Sequence, residues 1–214
     1  MSVEENLKAV RERIARAGGN PDEITIVAVT KGFGPDVCRA AIAAGLTALG
    51  ENRVHEALTK MAEVDGAEWH LIGHLQTNKA KLAAGRFQLI QSVDSARLAE
   101  HIARIDSTQR VLVEVNVARE PQKTGIAPEE AVALAGEVAK HLELRGLMAM
   151  GPSHGDPTEA FTELRHLRDQ AQEKIGRALP TLSMGMSGDF EAAVKAGSTM
   201  LRLGQVLFGP RPER

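Results

Sequence analysis

The sequence predicts an α/β fold, a (β/α)8 TIM barrel forming a single domain over residues 1–214 with an additional N-terminal helix. Three observations lead there. Short apolar, β-branched runs alternate with helical patterns about eight times along the chain, the rhythm of parallel strands joined by right-handed crossovers. Several runs are almost continuously apolar, as strands covered on both faces are. No linker, low-complexity segment or shift in composition divides the 214 residues, a length at the lower end of the range for such a barrel. An open doubly wound sheet is the alternative arrangement of the same units.

Taken in chain order, MSVEENLKAVRERIARAG is amphipathic and charged and predicts the extra helix. Strands are then expected in ITIVAV (24–29), LTALG (46–50), WHLIG (69–73), FQLIQSV (87–93), RVLVEVNV (110–117), LRGLMAM (144–150), TLSM (181–184) and STMLRLG (198–204). Helical patterns fall between them: PDVCRAAIAAG, RVHEALTKMAEV, KAKLAAG, SARLAEHIARI, PEEAVALAGEVAKHL, TEAFTELRHLRDQAQEKIG and DFEAAVKAG.

Composition excludes several classes of protein. A formal charge of −2 from 26 basic and 28 acidic residues gives no electrostatic reason to expect nucleic acid or a membrane as partner. The single Cys38 excludes an internal disulfide framework and suits a reducing cytoplasm. The N-terminus lacks an apolar core of signal-peptide type, and nowhere do 18 apolar residues run together. A cytoplasmic, soluble protein is therefore expected. No His, Cys and carboxylate spacing matches a metal site.

In both candidate architectures, ligands bind at the carboxyl ends of the strands. Lys31 directly follows the first, otherwise apolar strand. An ammonium at an apolar barrel mouth is desolvated, which lowers its pKa and makes it nucleophilic toward carbonyls; a lysine at a strand end can equally snorkel to solvent. Glu51, Asn52 and Arg53 follow the second strand, and Asn52 suits either a helix cap or a group facing the mouth. His74, Gln76, Asn78 and Lys79 follow the third, with Asn78 placed to cap KAKLAAG, while His70 inside the strand reads as a core histidine. Asn116 and Lys123 follow the fifth, completing a polar rim.

SMGMSGDF (183–190) and the turn at Gly204 fall in the last two βα loops, where barrels frequently form phosphate sites from backbone N–H groups, a hydroxyl and a helix N-terminus. Ser187, Gly188, Gly204 and Gln205 are the candidate cradle, the glycines allowing close approach of backbone to an anion. Arg202, two residues before Gly204, would aim a guanidinium at whatever carries that phosphate. The same residues also suit a pair of ordinary turns with Asp189 as a helix cap. Met184 and Met186 read as packing at the barrel top. A reactive lysine on the first strand and a phosphate site on the last become neighbours when a barrel closes, and pyridoxal 5′-phosphate, an aldehyde and a phosphate joined by an aromatic ring, fits that pair as a Schiff base on Lys31.

IVAVTKGF, LGENRVHEA, WHLIGHLQTNKAK, VNVAREPQKTGI, RGLMAMGP and LSMGMSGDFEAAVKAGSTMLRLGQVLFGPR, which together span nearly the whole chain, resemble the pyridoxal phosphate homeostasis proteins. That family is similar to the N-terminal barrel of bacterial alanine racemase. The resemblance implies the barrel fold and the cofactor on Lys31. It also implies phosphate binding by Ser187 and the backbone at Gly204 and Gln205, with Arg202 facing the pyridine nitrogen and Asn52 and His74 near the cofactor. One departure is His55, where many relatives have glutamine.

Racemisation of the alanine racemase type uses a lysine and a tyrosine on opposite faces of the cofactor, and the 214 residues contain no tyrosine. An arginine at the ring nitrogen stays protonated and leaves the ring a poor electron sink. The expectation is therefore a cofactor carrier in vitamin B6 and amino-acid homeostasis, without efficient catalysis, exchanging with amino acids and pyridoxal phosphate-dependent apoenzymes. A monomer is expected, because the dimerising domain of the racemases is not seen. The alternatives are an amino-acid racemase, with Lys31 or His74 as base, and a Schiff-base aldolase acting on a sugar phosphate.

Overall fold

The computed structural model describes residues 2–210. Its elements are α1 (Val3–Arg16), β1 (Thr25–Val29), α2 (Pro35–Ala43), β2 (Ala48–Glu51), α3 (Val54–Met61), β3 (Glu68–Leu71), α4 (Ala80–Ala83), β4 (Leu89–Val93), α5 (Ala96–Ala103), β5 (Arg110–Glu114), α6 (Pro128–Val138), β6 (Glu143–Met148), α7 (Thr158–Ile175), β7 (Thr181–Ser183), α8 (Phe190–Lys195), β8 (Met200–Leu203) and α9 (Gln205–Phe208). The strands are parallel and close on themselves in sequence order. The β1–β8 ladder, with Val27 beside Arg202 and Ala28 beside Leu203, is what excludes the doubly wound alternative: an open sheet leaves its first and last strands unpaired with each other.

Every predicted strand is present, with ends that differ from the predicted ones by up to three residues. The fifth run loses three residues because Val115 and Asn116 leave the main ladder: Val115 pairs with Ile126, and Asn116 N–H donates to the Ile126 carbonyl at 2.9 Å. Successive strand residues point to opposite faces, and this period of two divides the apolar residues into two sets. One, with Ile26, Ala28, Leu49, Leu71 and Ile90, shares the main core with helix residues such as Phe161, Leu164 and Phe190. The other, Val27, Ala48, Leu89, Leu112, Met148 and Met200, one from each of six strands, forms a separate buried cluster inside the barrel.

Helix α1 is started by a capping box, in which Ser2 Oγ accepts from Glu5 N–H and Glu5 returns a carboxylate to Ser2 N–H. Its apolar stripe of Leu7, Val10 and Ile14 is buried against α8 and α9. Asn6 Nδ2 donates to the Leu207 carbonyl at 2.8 Å, and the Arg13 guanidinium lies 4.4 Å from the centre of the Phe190 ring. The N-terminal helix thus braces the last two helices of the barrel, next to the loops that form the site. No helix among the described residues is long and apolar enough to cross a membrane.

Candidate functional site

The carboxyl ends of the strands surround a cavity of about 580 Å³. Lys31, Asn52, His74, Ser187, Arg202, Gly204 and Gln205 all line it. The period of two accounts for most of them: Val29 and Lys31 follow Val27 on the interior face of the β1 row, and Arg202 and Gly204 follow Met200 on that of β8. Barrel closure brings the two rows together, and Gly204 packs against Val29.

The β7–α8 and β8–α9 loops meet here. Ser187 Oγ accepts from Val206 N–H at 3.2 Å, which leaves its own hydroxyl proton to donate into the cavity. Gly188, Gly204 and Gln205 complete that wall. Gln205 opens the short helix α9, whose first N–H groups have no partner within the helix. Gly185 has a reason other than the close approach to an anion that the sequence suggests. Its φ is +97°, and a Cβ there would fall 2.6 Å from Ala193 Cβ and 2.9 Å from Leu201 Cδ2, so packing and a left-handed turn require glycine. Asp189 stands at the N-cap of α8 but caps no helical N–H; its carboxylate accepts from Met186 N–H inside the loop. The two methionines separate: Met184 is core, and Met186, 39% exposed, lines the cavity.

Arg202 is 4% exposed and held by three hydrogen bonds. Its Nη1 donates to the Ser183 carbonyl at 2.8 Å and to Ser183 Oγ at 2.7 Å, and its Nη2 donates to the Ala149 carbonyl at 2.8 Å. The order continues across the barrel: Ser183 Oγ donates to Gln91 Oε1 at 2.7 Å, and Gln91 Nε2, 3.0 Å from His70 Nδ1, donates to it. Four buried polar residues from β8, β7, β4 and β3 therefore fix one another. Each direction follows from the guanidinium, which can only donate. Burial pulls Arg202 down to about 10, partly offset by Glu114 and Asp189, so it is cationic at neutral pH.

Glu114 on β5 is a site residue that sequence reasoning missed. It lines the cavity at 2% exposure. Oε1 accepts from the Thr124 hydroxyl at 2.6 Å, while Oε2 is buried without a hydrogen-bond partner among the described residues. Burial pushes this carboxyl up, against the Thr124 hydrogen bond. The available signal was its phase, two residues after interior Leu112 in RVLVEVNV.

Asn52 lines the cavity and is not a cap, since Arg53 occupies the N-cap of α3. Gly73 allows this: a Cβ there would come within 2.3 Å of the Asn52 carbonyl oxygen. His74 Nδ1 lies 3.3 Å from Asp94 Oδ2, which orients the imidazole at the mouth. The rest of the expected polar rim lies outside the cavity lining. Asn78 falls within the 3-10 turn Thr77–Lys79 before α4, whose N-cap is Lys79. Asn116 Nδ2 donates to the Glu120 carbonyl, and Lys123 Nζ to the Gly151 carbonyl; both brace the β5–α6 loop. His55 is exposed on α3. Among the described residues, no group of three or more His, Cys, Asp or Glu side chains could hold a metal ion.

His70 is the core histidine the sequence suggests, 5% exposed, and burial lowers its pKa from 6.5 to about 4. Because the folded value is depressed, the neutral ring's contribution is present above pH 6.5 and lost as pH falls toward 4. From pH 7.5 to 4.5 this one group should remove roughly 2–3 kcal/mol of stability. Urea melts of wild type and His70→Gln at both pH values should show the wild type losing that much more, and equal losses would place the acid sensitivity elsewhere.

A family model described as the alanine racemase N-terminal domain matches residues 2–212. The pyridoxal phosphate homeostasis protein of Aquifex aeolicus is 40% identical, over 99% of this chain and 99% of its own length. Among solved structures, PipY of Synechococcus elongatus with PLP bound is 32% identical and superposes with a TM-score of 0.85, covering 97% of this chain and 100% of that one. Alanine racemase from Corynebacterium glutamicum, 17% identical, is similar in fold, with a TM-score of 0.78 over 99% of this chain and 61% of that chain.

Proposed function

The chain belongs to the pyridoxal phosphate homeostasis proteins, and from that premise we propose that it binds pyridoxal 5′-phosphate at the barrel mouth and holds it in the service of vitamin B6 and amino-acid homeostasis. One observation carries this reading: Lys31 and the Ser187–Gly188 and Gly204–Gln205 loops, from opposite ends of the chain, line one cavity. The donor set fits the group. An amine suits an aldehyde, a hydroxyl with backbone N–H groups suits a phosphate ester, a guanidinium suits a ring nitrogen, and Glu114 Oε2, without a hydrogen-bond partner among the described residues, leaves a polar contact to a ligand.

When bound, the group supplies an electrophilic aldehyde conjugated to an electron-accepting ring. Lys31 Nζ would be the amine that bonds that aldehyde, with the carbonyl oxygen leaving as water. Ser187 and the backbone at Gly204 and Gln205 hold the phosphate, Asn52 and His74 flank the cofactor, and Arg202 is the partner of the ring nitrogen. A cationic Arg202 disfavours a protonated ring nitrogen, and the resulting weak electron sink suits holding better than turnover. Adding pyridoxal 5′-phosphate to the purified protein should produce a visible absorption band that survives desalting; a protein that stays colourless sinks the reading.

Ser187→Ala should weaken pyridoxal phosphate affinity by about 1 kcal/mol or more, the scale of one charge-assisted hydrogen bond. Unaltered affinity in a direct titration would leave the phosphate to backbone groups.

The finer reading is a cytoplasmic monomer that passes the cofactor to apoenzymes and reacts slowly with amino acids. Amino-acid racemisation is the second reading, and the His74–Asp94 pair at the mouth favours it by offering an oriented base. Measured interconversion of amino-acid enantiomers that disappears in a His74→Ala variant would select it. The family premise sets aside the aldolase.

A further inference from the structure

Behind the wall that carries Lys31, outside the cavity lining, lies a buried charged cluster that the proposed function does not use. Lys60 on α3 is 4% exposed and Glu51 at the end of β2 is fully buried. Lys60 Nζ donates to Glu51 Oε1 at 2.6 Å and to Glu56 Oε1 at 3.0 Å. The same groups hold the backbone on both sides of Lys31. Lys60 Nζ donates to the carbonyl of Thr30 at 2.8 Å, and Glu56 Oε1 accepts from the N–H of Gly32 at 2.6 Å. The Thr30 hydroxyl donates to Glu51 Oε1 at 2.6 Å.

A cluster of this kind is costly to bury. Glu51 is fully buried, and its Oε2 has no hydrogen-bond partner among the described residues. Apolar residues of similar volume commonly fill such positions at no loss of stability. The contacts specific to this arrangement are those to the residues before and after Lys31. We propose that Lys60, with Glu51 and Glu56, is a positioning residue for Lys31: by fixing the Thr30 carbonyl and the Gly32 N–H it sets the direction in which the lysine leaves β1 and enters the cavity. This rests on the reading of Lys31 as the amine that bonds the aldehyde.

The test separates attachment from binding. The rate at which the visible band appears on adding pyridoxal 5′-phosphate reports bond formation by Lys31 with loss of water. Affinity for pyridoxine 5′-phosphate, which has the ring and phosphate but no aldehyde, reports the rest of the cavity. In Lys60→Met the attachment rate should fall about 10-fold or more, since small misplacements of reacting groups cost up to about 100-fold, while pyridoxine phosphate affinity stays within about 2-fold. Glu56→Leu should behave likewise, and Glu56→Gln, which keeps an acceptor for the Gly32 N–H, should recover part of the lost rate. Should Lys60→Met fail to fold, the two part-exposed Glu56 variants carry the same comparison. An unchanged attachment rate in folded variants overturns the proposal, as does a parallel loss of rate and pyridoxine phosphate affinity, which marks a general structural role. A wild-type protein that forms no band removes the reading of Lys31 and this proposal with it.

Discussion

Lys31→Ala is expected to abolish the visible band formed with pyridoxal 5′-phosphate, leaving only the spectrum of the free aldehyde, and the cofactor should then be lost on desalting. The substitution removes a half-buried side chain at a strand end and no element of the interior cluster, so the fold should melt close to the wild-type temperature. The wall proposed to hold the phosphate stays intact, because Ser187, Gly204 and Gln205 are placed by β7, β8 and their own loops. Reversible binding should therefore persist while covalent retention vanishes. A small primary amine such as ethylamine, diffusing into the space left by the side chain, should restore a visible band in Lys31→Ala, because the chemistry needs an amine there and not a particular backbone attachment. A band that persists in Lys31→Ala without added amine would assign the bond to another lysine; reduction with borohydride followed by peptide mapping would identify it.

The strand periodicity explains how much of this site could be read before any coordinates. In a parallel barrel strand, residues two apart share a face, so a polar residue in phase with an apolar interior row, near the carboxyl end, is aimed at the mouth. Lys31 in phase with Val27, Asn52 with Ala48 and Arg202 with Met200 all obey this. Glu114 obeys it too, in phase with Leu112, but the predicted run 110–117 continues past it, whereas β5 ends at Glu114. The conspicuous polar residues of that segment are Asn116 and Lys123, whose chemistry suits a site equally well. Only their hydrogen bonds to loop carbonyls show that they hold backbone instead.

Two other features have no local signature. Helix α9 is four residues long, too short for a helical period to register. The chain from Arg202 through Ser183 and Gln91 to His70 joins residues from four strands, and its members meet only once the barrel is closed. Caps failed for a related reason. Asn52, Asn78 and Asp189 are each the right residue type near the start of a helix, but the helix begins one or two residues away or the side chain turns to a different N–H. Capping propensity is a preference of residue type, and a short amide or carboxylate serves a loop or a cavity wall as readily as a helix end.

That same buried chain sets the second large effect. Arg202→Glu should lower stability by about 4 kcal/mol or more at neutral pH, the scale of leaving an uncompensated charge in an interior, and depress the melting temperature by roughly 8–16 °C for a domain of this size. The arginine now meets the carbonyl oxygens of Ser183 and Ala149 and the hydroxyl of Ser183. A carboxylate in its place would face two acceptors with one hydroxyl able to donate, and Ser183 Oγ, whose proton now goes to Gln91, would have to break that bond to serve it. Glu114 and Asp189, whose charges now favour the guanidinium, would repel the newcomer. Arg202→Met separates the two roles of the side chain. It keeps the volume without the repulsion, so it should remain folded with a smaller loss of stability, while the proposed partner of the ring nitrogen disappears and the visible band of bound pyridoxal phosphate should move. A melting temperature unchanged in Arg202→Glu would mean that the three hydrogen bonds contribute nothing net, and an unmoved band in Arg202→Met would make Arg202 a packing residue of the barrel interior instead of a contact of the ring.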